Sequence, residues 1–190
     1  MKNILRSTKL WQKFAVLGVL GAVLCAVPLT LVVRSENEQI AVAHAEDAGI
    51  DPVRTSLQLA RRLQLHRTQA GQLLAGNAGA DHERRSHATE VVGLITVLHK
   101  QTSELGYPKA TERADAVKAS WEKLLADVDG RTTTPEASFQ QHSELLEQVF
   151  VTAEMVADES GLSLDPIAET YFVMTAVVDH GPRLVEALEQ

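Results

Sequence analysis

Cysteine, aromatic residues, glycine and proline are all scarce in this 190-residue chain: one Cys, 4% Phe, Trp and Tyr together, 11 Gly and six Pro. Each shortage excludes something. Cys25 has no internal partner, so no disulfide framework exists, and no Cys/His spacing of zinc-site type is present. Its place inside an apolar run suits a small hydrophobe. Few Gly and Pro residues argue against strand-and-turn architectures. No glycine-rich phosphate loop, nucleophile elbow or carboxylate dyad occurs, so no enzyme signature and no cofactor are expected. Acidic residues are missing from the first 34 positions, which carry Lys2, Arg6, Lys9, Lys13 and Arg34. The other basic residues face all 25 acidic ones, and so acidic a body repels nucleic acid rather than binding it.

What the chain does contain is one long apolar run and a helix-forming remainder. "FAVLGVLGAVLCAVPLTLVV", residues 14–33, is twenty residues without a charge. At a helical rise this covers about 30 Å, the thickness of a bilayer core. Pro28 is tolerable within it. The basic residues before the run, and Arg34, Glu36 and Glu38 after it, predict a cytoplasmic N-terminus over 1–13 and a body outside. "AHA" at 43–45 resembles a signal-peptidase site but lies well past the run, and the run is longer than a usual signal core. An uncleaved, single-pass anchor at 14–33 is therefore expected.

Beyond the anchor, apolar residues recur with helical spacing. Asp51 is expected to cap a helix with Pro52 first inside it, giving a kink or restart at "GIDP". "GNAGAD" should end that helix. A second covers about 82–105 on Ala88, Val91, Ile95, Leu98, Thr102 and Leu105, and "GYP" ends it. A third covers about 109–128 on Ala110, Ala114, Val117, Trp121, Leu124 and Val128. A fourth starts at Thr134 and Pro135 on Phe139, His142, Leu146, Val149, Ala153 and Val156. Spacings of three and four are those of bundle packing. The fold class is thus all-α, an antiparallel four-helix bundle over 34–160. A fifth helix over 161–190, capped by Asp165 and Pro166 and bent at Pro182, is left incompletely partnered. Its stripe needs further helices or a second subunit, and a homodimer is expected.

Two residues of "LQLHRTQAGQLLAGN", 63–77, do not suit an apolar stripe. Val53, Leu57, Ala60, Gln64, Arg67, Gly71 and Leu74 form one stripe, and Leu59, Leu63, His66, Ala70 and Leu73 its neighbour. His66 and Arg67 therefore lie on or beside the interior. In the structural reading, Arg67 pairs with an acid or snorkels, and His66 makes one hydrogen bond. In the functional reading, Arg67 offers its guanidinium to a small anion in a polar cavity, with His66, Asn77 and His142 as companion ligand-binding candidates and His99 as a polar neighbour. No His pair at i, i+4 exists to hold a metal. "DHERRSH", 81–87, reads as a solvated helix start with Asp81 as its cap.

Three segments, "KLWQKFAVLGVLG", "LQLHRTQAGQLLAGN" and "SGLSLDPIAETYFVM", together resemble the N-terminal sensory region of bacterial methyl-accepting chemotaxis proteins. The last is similar to an S-x-L-x-L-D-P…Y-x-x-M pattern, carried here by Ser160, Leu162, Leu164, Asp165, Pro166, Tyr171 and Met174. The resemblance implies a ligand-sensing region in the periplasm, anchored in the bacterial inner membrane. Related input regions serve sensor histidine kinases and diguanylate cyclases. The "HR" pair also resembles nitrate- and nitrite-sensing helical domains, where glutamate stands in place of His66, and this implicates Arg67 toward an organic acid or a nitrate-like oxyanion. Such receptors carry a second membrane helix and a cytoplasmic signalling part, so this sequence is expected to be either a piece of a longer receptor or the product of a truncated gene. A membrane-anchored helical interaction protein is the alternative.

Overall fold

A computed structural model describes residues 9–164 of the chain. The fifth helix expected over 161–190, with Asp165, Tyr171, Met174 and Pro182, lies outside the described residues, apart from a 3₁₀ turn at Leu162–Leu164. Within the described part every long element is a helix: α1 (Leu10–Leu74), α2 (Asp81–Glu104), α3 (Pro108–Asp129) and α4 (Pro135–Ser160). The chain divides into two units, Met1–His44 and Ala45–Gln190.

The first unit holds the apolar part of α1. Its eighteen-residue window reaches a mean hydropathy of 2.6 with none of it buried in protein. Phe14, Leu17, Leu20, Leu24, Leu29 and Leu31 all face outward. Among the described residues this is one helix long and apolar enough to cross a membrane, consistent with a single-pass protein.

The second unit contains the rest of α1 and the other three helices as an antiparallel bundle. Polar pairs fix the directions. Arg62 bonds Glu90 at 2.6 Å and Gln69 bonds Glu83, so α1 and α2 run oppositely. His99 meets Asp115 and Arg84 meets Asp129, which orients α2 against α3. Gln141 reaches Asp127 at one end of α3, while Glu159 reaches Lys109 and Ala110 at the other. The Glu159 carboxylate accepts the backbone N–H groups of Lys109 (3.2 Å) and Ala110 (2.9 Å). It supplies the cap that Tyr107, at the N-cap position of α3, does not.

The predicted seams form the core. Ala110, Ala114, Val117, Trp121, Leu124 and Val128 are all buried, as are Ala88, Val91, Ile95, Leu98 and Thr102 of α2. In α4 the interior row is His142, Leu146, Val149, Ala153 and Val156. Burying a Leu or Val side chain contributes about 1.5–3 kcal/mol each, which is why the 3,4 spacing decides the fold. Thr134 caps α4 by accepting the Ala137 N–H, with Pro135 in the first turn as expected. Gly161 ends α4 at φ 85°, a left-handed conformation that a side chain resists.

Some expectations need correction. α1 does not restart at Asp51–Pro52; helix is continuous there. Asp51 caps nothing and instead takes Arg54 Nη1 at 2.7 Å. A proline in a helix interior loses one backbone bond. Here Pro52 is buried with Gly49, Val53, Thr55 and Ser56, and that burial offsets the loss. Phe139 and Leu105 lie at the bundle surface rather than in the seams, each more than a third exposed. Asp81 is not the α2 cap: Ala80 holds that position, and the Asp81 carboxylate turns to arginines.

At Gly49, α1 packs closely against the end of α4. A Cβ there would overlap Oγ and Cβ of the buried Ser160 and press on Leu162. A Gly→Ala change inside a helix ordinarily stabilises by up to about 1 kcal/mol. Gly49→Ala is expected to reverse that sign and cost about 1–3 kcal/mol through overpacking. Gly71→Ala, with nothing within contact distance, should keep the ordinary sign. Urea unfolding of the two variants, followed by tryptophan fluorescence, separates the outcomes.

Candidate functional site

The interior face of α1 is the row Leu59, Leu63, His66, Ala70 and Leu73, all buried, with Arg67 on its flank. The sequence places both residues on or beside the interior. The structure gives the inner position to the histidine and the rim to the arginine.

His66 and His142 form a direct pair between α1 and α4. His142 Nδ1 lies 2.6 Å from the carbonyl oxygen of Ser138, one turn earlier on α4, and 3.4 Å from the Ser138 hydroxyl. A carbonyl only accepts, so His142 carries its proton on Nδ1 and leaves a lone pair on Nε2. His66 Nδ1 lies 2.8 Å from that Nε2 and must therefore be the donor. Both rings are then neutral and protonated on Nδ1. Burial is the first cause that lowers His66 to about 2, helped by the neighbouring His142, Arg84 and His87. Burial likewise lowers His142 to about 4, against the Ser138 carbonyl bond, with Arg67 lowering it further. The rings lie at 34° with centroids 5.1 Å apart, and the His66 ring meets Trp121 edge-on at 4.8 Å.

Arg67 lines a cleft between α1 and the first turns of α4. Its Nη1 donates to Ser143 Oγ at 3.0 Å, and its guanidinium carbon lies 4.4 Å from the Phe139 ring centre. The side chain is 4% exposed, yet it lines an open cleft of about 740 Å³. Thr68, Gly71, Gln72, Pro135, Glu136, Phe139 and Gln140 complete the walls. Pro135 and Glu136 are the first two residues of α4, so the positive end of that helix dipole borders the cleft. A guanidinium and a helix N-terminus together favour a small anion. Glu136 opposes a second negative charge.

The other candidates fall elsewhere. Asn77 is exposed and its Oδ1 accepts the Gly79 N–H, capping the 3₁₀ turn Ala78–Ala80, while its amide reaches Gln72 at 3.4 Å. Its role is local, and Gln72 alone links it to the cleft. His99 is half-exposed and pairs with Asp115 at 3.2 Å. The structure brings His66 to His142 and Arg67 to Ser143, but not these two.

A residue read as solvated turns out to be buried. Arg84 of "DHERRSH" is 2% exposed. Its Nε and Nη2 both donate to Asp81 Oδ1, at 3.0 and 2.9 Å, and Nη2 also reaches Asp129 Oδ1 at 2.6 Å. The Arg84 hydrogen bond is the main cause holding the Asp81 carboxyl below its usual range. Position 84 continues the Ala88, Val91, Ile95 seam backward by one turn, a signal that was present in the spacing. Three lining residues of the cleft, Gln72, Glu136 and Gln140, had no such signal, since each is an ordinary polar residue on a helix surface.

No family model matches the chain, and neither the curated proteins nor the solved structures contain a match to it.

Proposed function

We propose that this chain is the ligand-sensing region of a membrane-anchored bacterial receptor of the chemoreceptor type, its helical bundle standing on the periplasmic side of the inner membrane. The bundle takes a small, singly charged anion in the cleft at Arg67. The observation that carries this reading is the meeting of the Arg67 guanidinium with the N-terminal turn of α4 at an open cleft. Phe139 supplies an apolar wall, and the Gln72 and Gln140 amides add hydrogen-bonding groups, as small-molecule sites require. The apolar helix near the N-terminus and the segments that resemble chemotaxis receptors supply the context. Such a ligand would touch both α1 and α4, and a ligand acts on a receptor only through contacts that differ between its two states.

Thermal unfolding of the full chain in detergent, against a panel of monocarboxylates, nitrate and nitrite, tests the binding claim. A ligand at 100 times its dissociation constant stabilises by about 2.7 kcal/mol, a readily measured rise in melting temperature. The rise is expected for at least one singly charged anion, and is expected to vanish in Arg67→Gln. A panel without any rise, or a rise undiminished in Arg67→Gln, would refute the anion site.

A further inference from the structure

A separate observation lies deeper in the bundle and does not involve the Arg67 cleft. Four buried side-chain nitrogens have no hydrogen-bond partner among the described residues: His66 Nε2, Arg84 Nη1, His87 Nδ1 and Trp121 Nε1. They come from α1, α2 and α3. His66, Arg84 and Trp121 are 0%, 2% and 1% exposed. Orphans of this kind are rare in native proteins, because each costs about 1–3 kcal/mol when left unmade.

These four groups belong together. The His66 ring is in edge contact with Trp121, and Arg84 and His87 are close enough to act electrostatically on it. His87 follows Arg84 by one turn on α2, and Ala88 beside it lies in the same core cluster as Leu63, Ala70 and Trp121. We propose that the centre of the bundle holds a binding site for one water molecule, which joins His66 and His87 to Arg84 and Trp121 and closes a hydrogen-bonded relay through all four helices.

The chemistry of the four groups selects the occupant. An arginine Nη1–H and an indole N–H can only donate. The Ser138 carbonyl fixes the His142 proton on Nδ1, and this in turn fixes the His66 proton on Nδ1, so His66 Nε2 can only accept. His87 Nδ1 donates or accepts according to its tautomer. Two groups that can only donate and one that can only accept call for an occupant that does both, as water does, and buried waters commonly make two to four bonds. An oxyanion would satisfy the two donors but set its lone pairs against that of His66 Nε2. Charge balance agrees: Arg84 already meets the carboxylates of Asp81 and Asp129 and needs no third anion. An ammonium would satisfy His66 Nε2 and repel Arg84. The relay then runs from water O–H to His66 Nε2, from His66 Nδ1–H to His142 Nε2, and from His142 Nδ1–H to the Ser138 carbonyl.

Nitrogen NMR of the full chain in detergent micelles at pH 7 tests this. Only Trp11 and Trp121 give indole signals, and a Trp11→Phe sample assigns them. The Trp121 indole proton should show a cross-peak to a long-lived water, with the sign of a rigidly held molecule. His66 and His142 should both show the Nδ1-protonated pattern. Absence of the water cross-peak, a proton on His66 Nε2, or, in the Arg67→Gln chain, a saturable shift of the Trp121 indole on adding chloride or nitrate would each overturn the assignment. The last would make the occupant an anion.

Discussion

Between pH 7 and pH 5 the bundle is expected to lose about 4 kcal/mol of stability, through His66 and His142 together. Both rings are neutral in the folded protein, lowered from an ordinary 6.5 to about 2 and about 4. In the unfolded chain they protonate near 6.5, so below that pH the unfolded state binds more protons than the folded one. Folding stability from this pair is therefore complete above pH 6.5. It falls by about 1.4 kcal/mol per pH unit per ring as the pH drops. The fall continues to about pH 4 for His142 and about pH 2 for His66. Asp81, held low by Arg84, adds its own loss only below the ordinary carboxylate range, outside this window.

Substitution separates the pair from the background. His142→Leu leaves the buried His66 Nδ1–H without its acceptor and is expected to cost about 1–3 kcal/mol at pH 7. His66→Leu combined with His142→Leu removes both polar groups at similar volume. It should cost less than the sum of the singles and should flatten the profile between pH 7 and pH 5. Urea midpoints of the three variants and the parent at pH 5, 6, 7 and 8 give the whole comparison. Equal parental midpoints at pH 5 and pH 7 would rule out the neutral pair.

The second large effect is at Trp121. It is the largest fully buried side chain of the bundle, central to the cluster that joins Leu59 and Leu63 of α1 to Val117 and Leu124 of α3 and Leu146 of α4. Trp121→Ala is expected to cost about 3–5 kcal/mol, since a core this closely packed collapses only partly around the space left behind. Trp121→Phe keeps most of the apolar contact and should cost less than half as much. Trp11→Phe, at an exposed position in the other unit, should leave the midpoint of the bundle unchanged. A Trp121→Ala chain with parental stability would contradict the core described above.

The sequence carried the helices and their seams for a physical reason. Apolar residues such as Ala114, Val117, Trp121 and Leu124 gain by burial whichever partner they meet, so periodicity alone locates their face. Gly76, Gly106 and Gly161 likewise mark helix ends locally, each with positive φ. Arg84 was only partly legible: the spacing puts position 84 on the α2 seam, but nothing local says that an arginine can be buried there. Its burial depends on Asp129, forty-five positions on and brought alongside only by the α2–α3 packing. Pro52 misled for the opposite reason: the local cost of a proline was visible, but the Ser160 surface against which Gly49 packs was not. At the site, His66 and Arg67 stood out as polar residues in an apolar stripe. Their division of roles, one inside with His142 and the other at a cleft with the start of α4, follows from the angle at which two helices meet, and no spacing encodes that.

The Glu159 carboxylate holding the first two amides of α3 has a mechanical consequence. One residue of axial slippage is about 1.5 Å, comparable to the slack in both bonds. α4 is therefore indexed against α3 at this end: a shift by a full register stretches these two bonds or makes the Glu159 side chain turn to keep them.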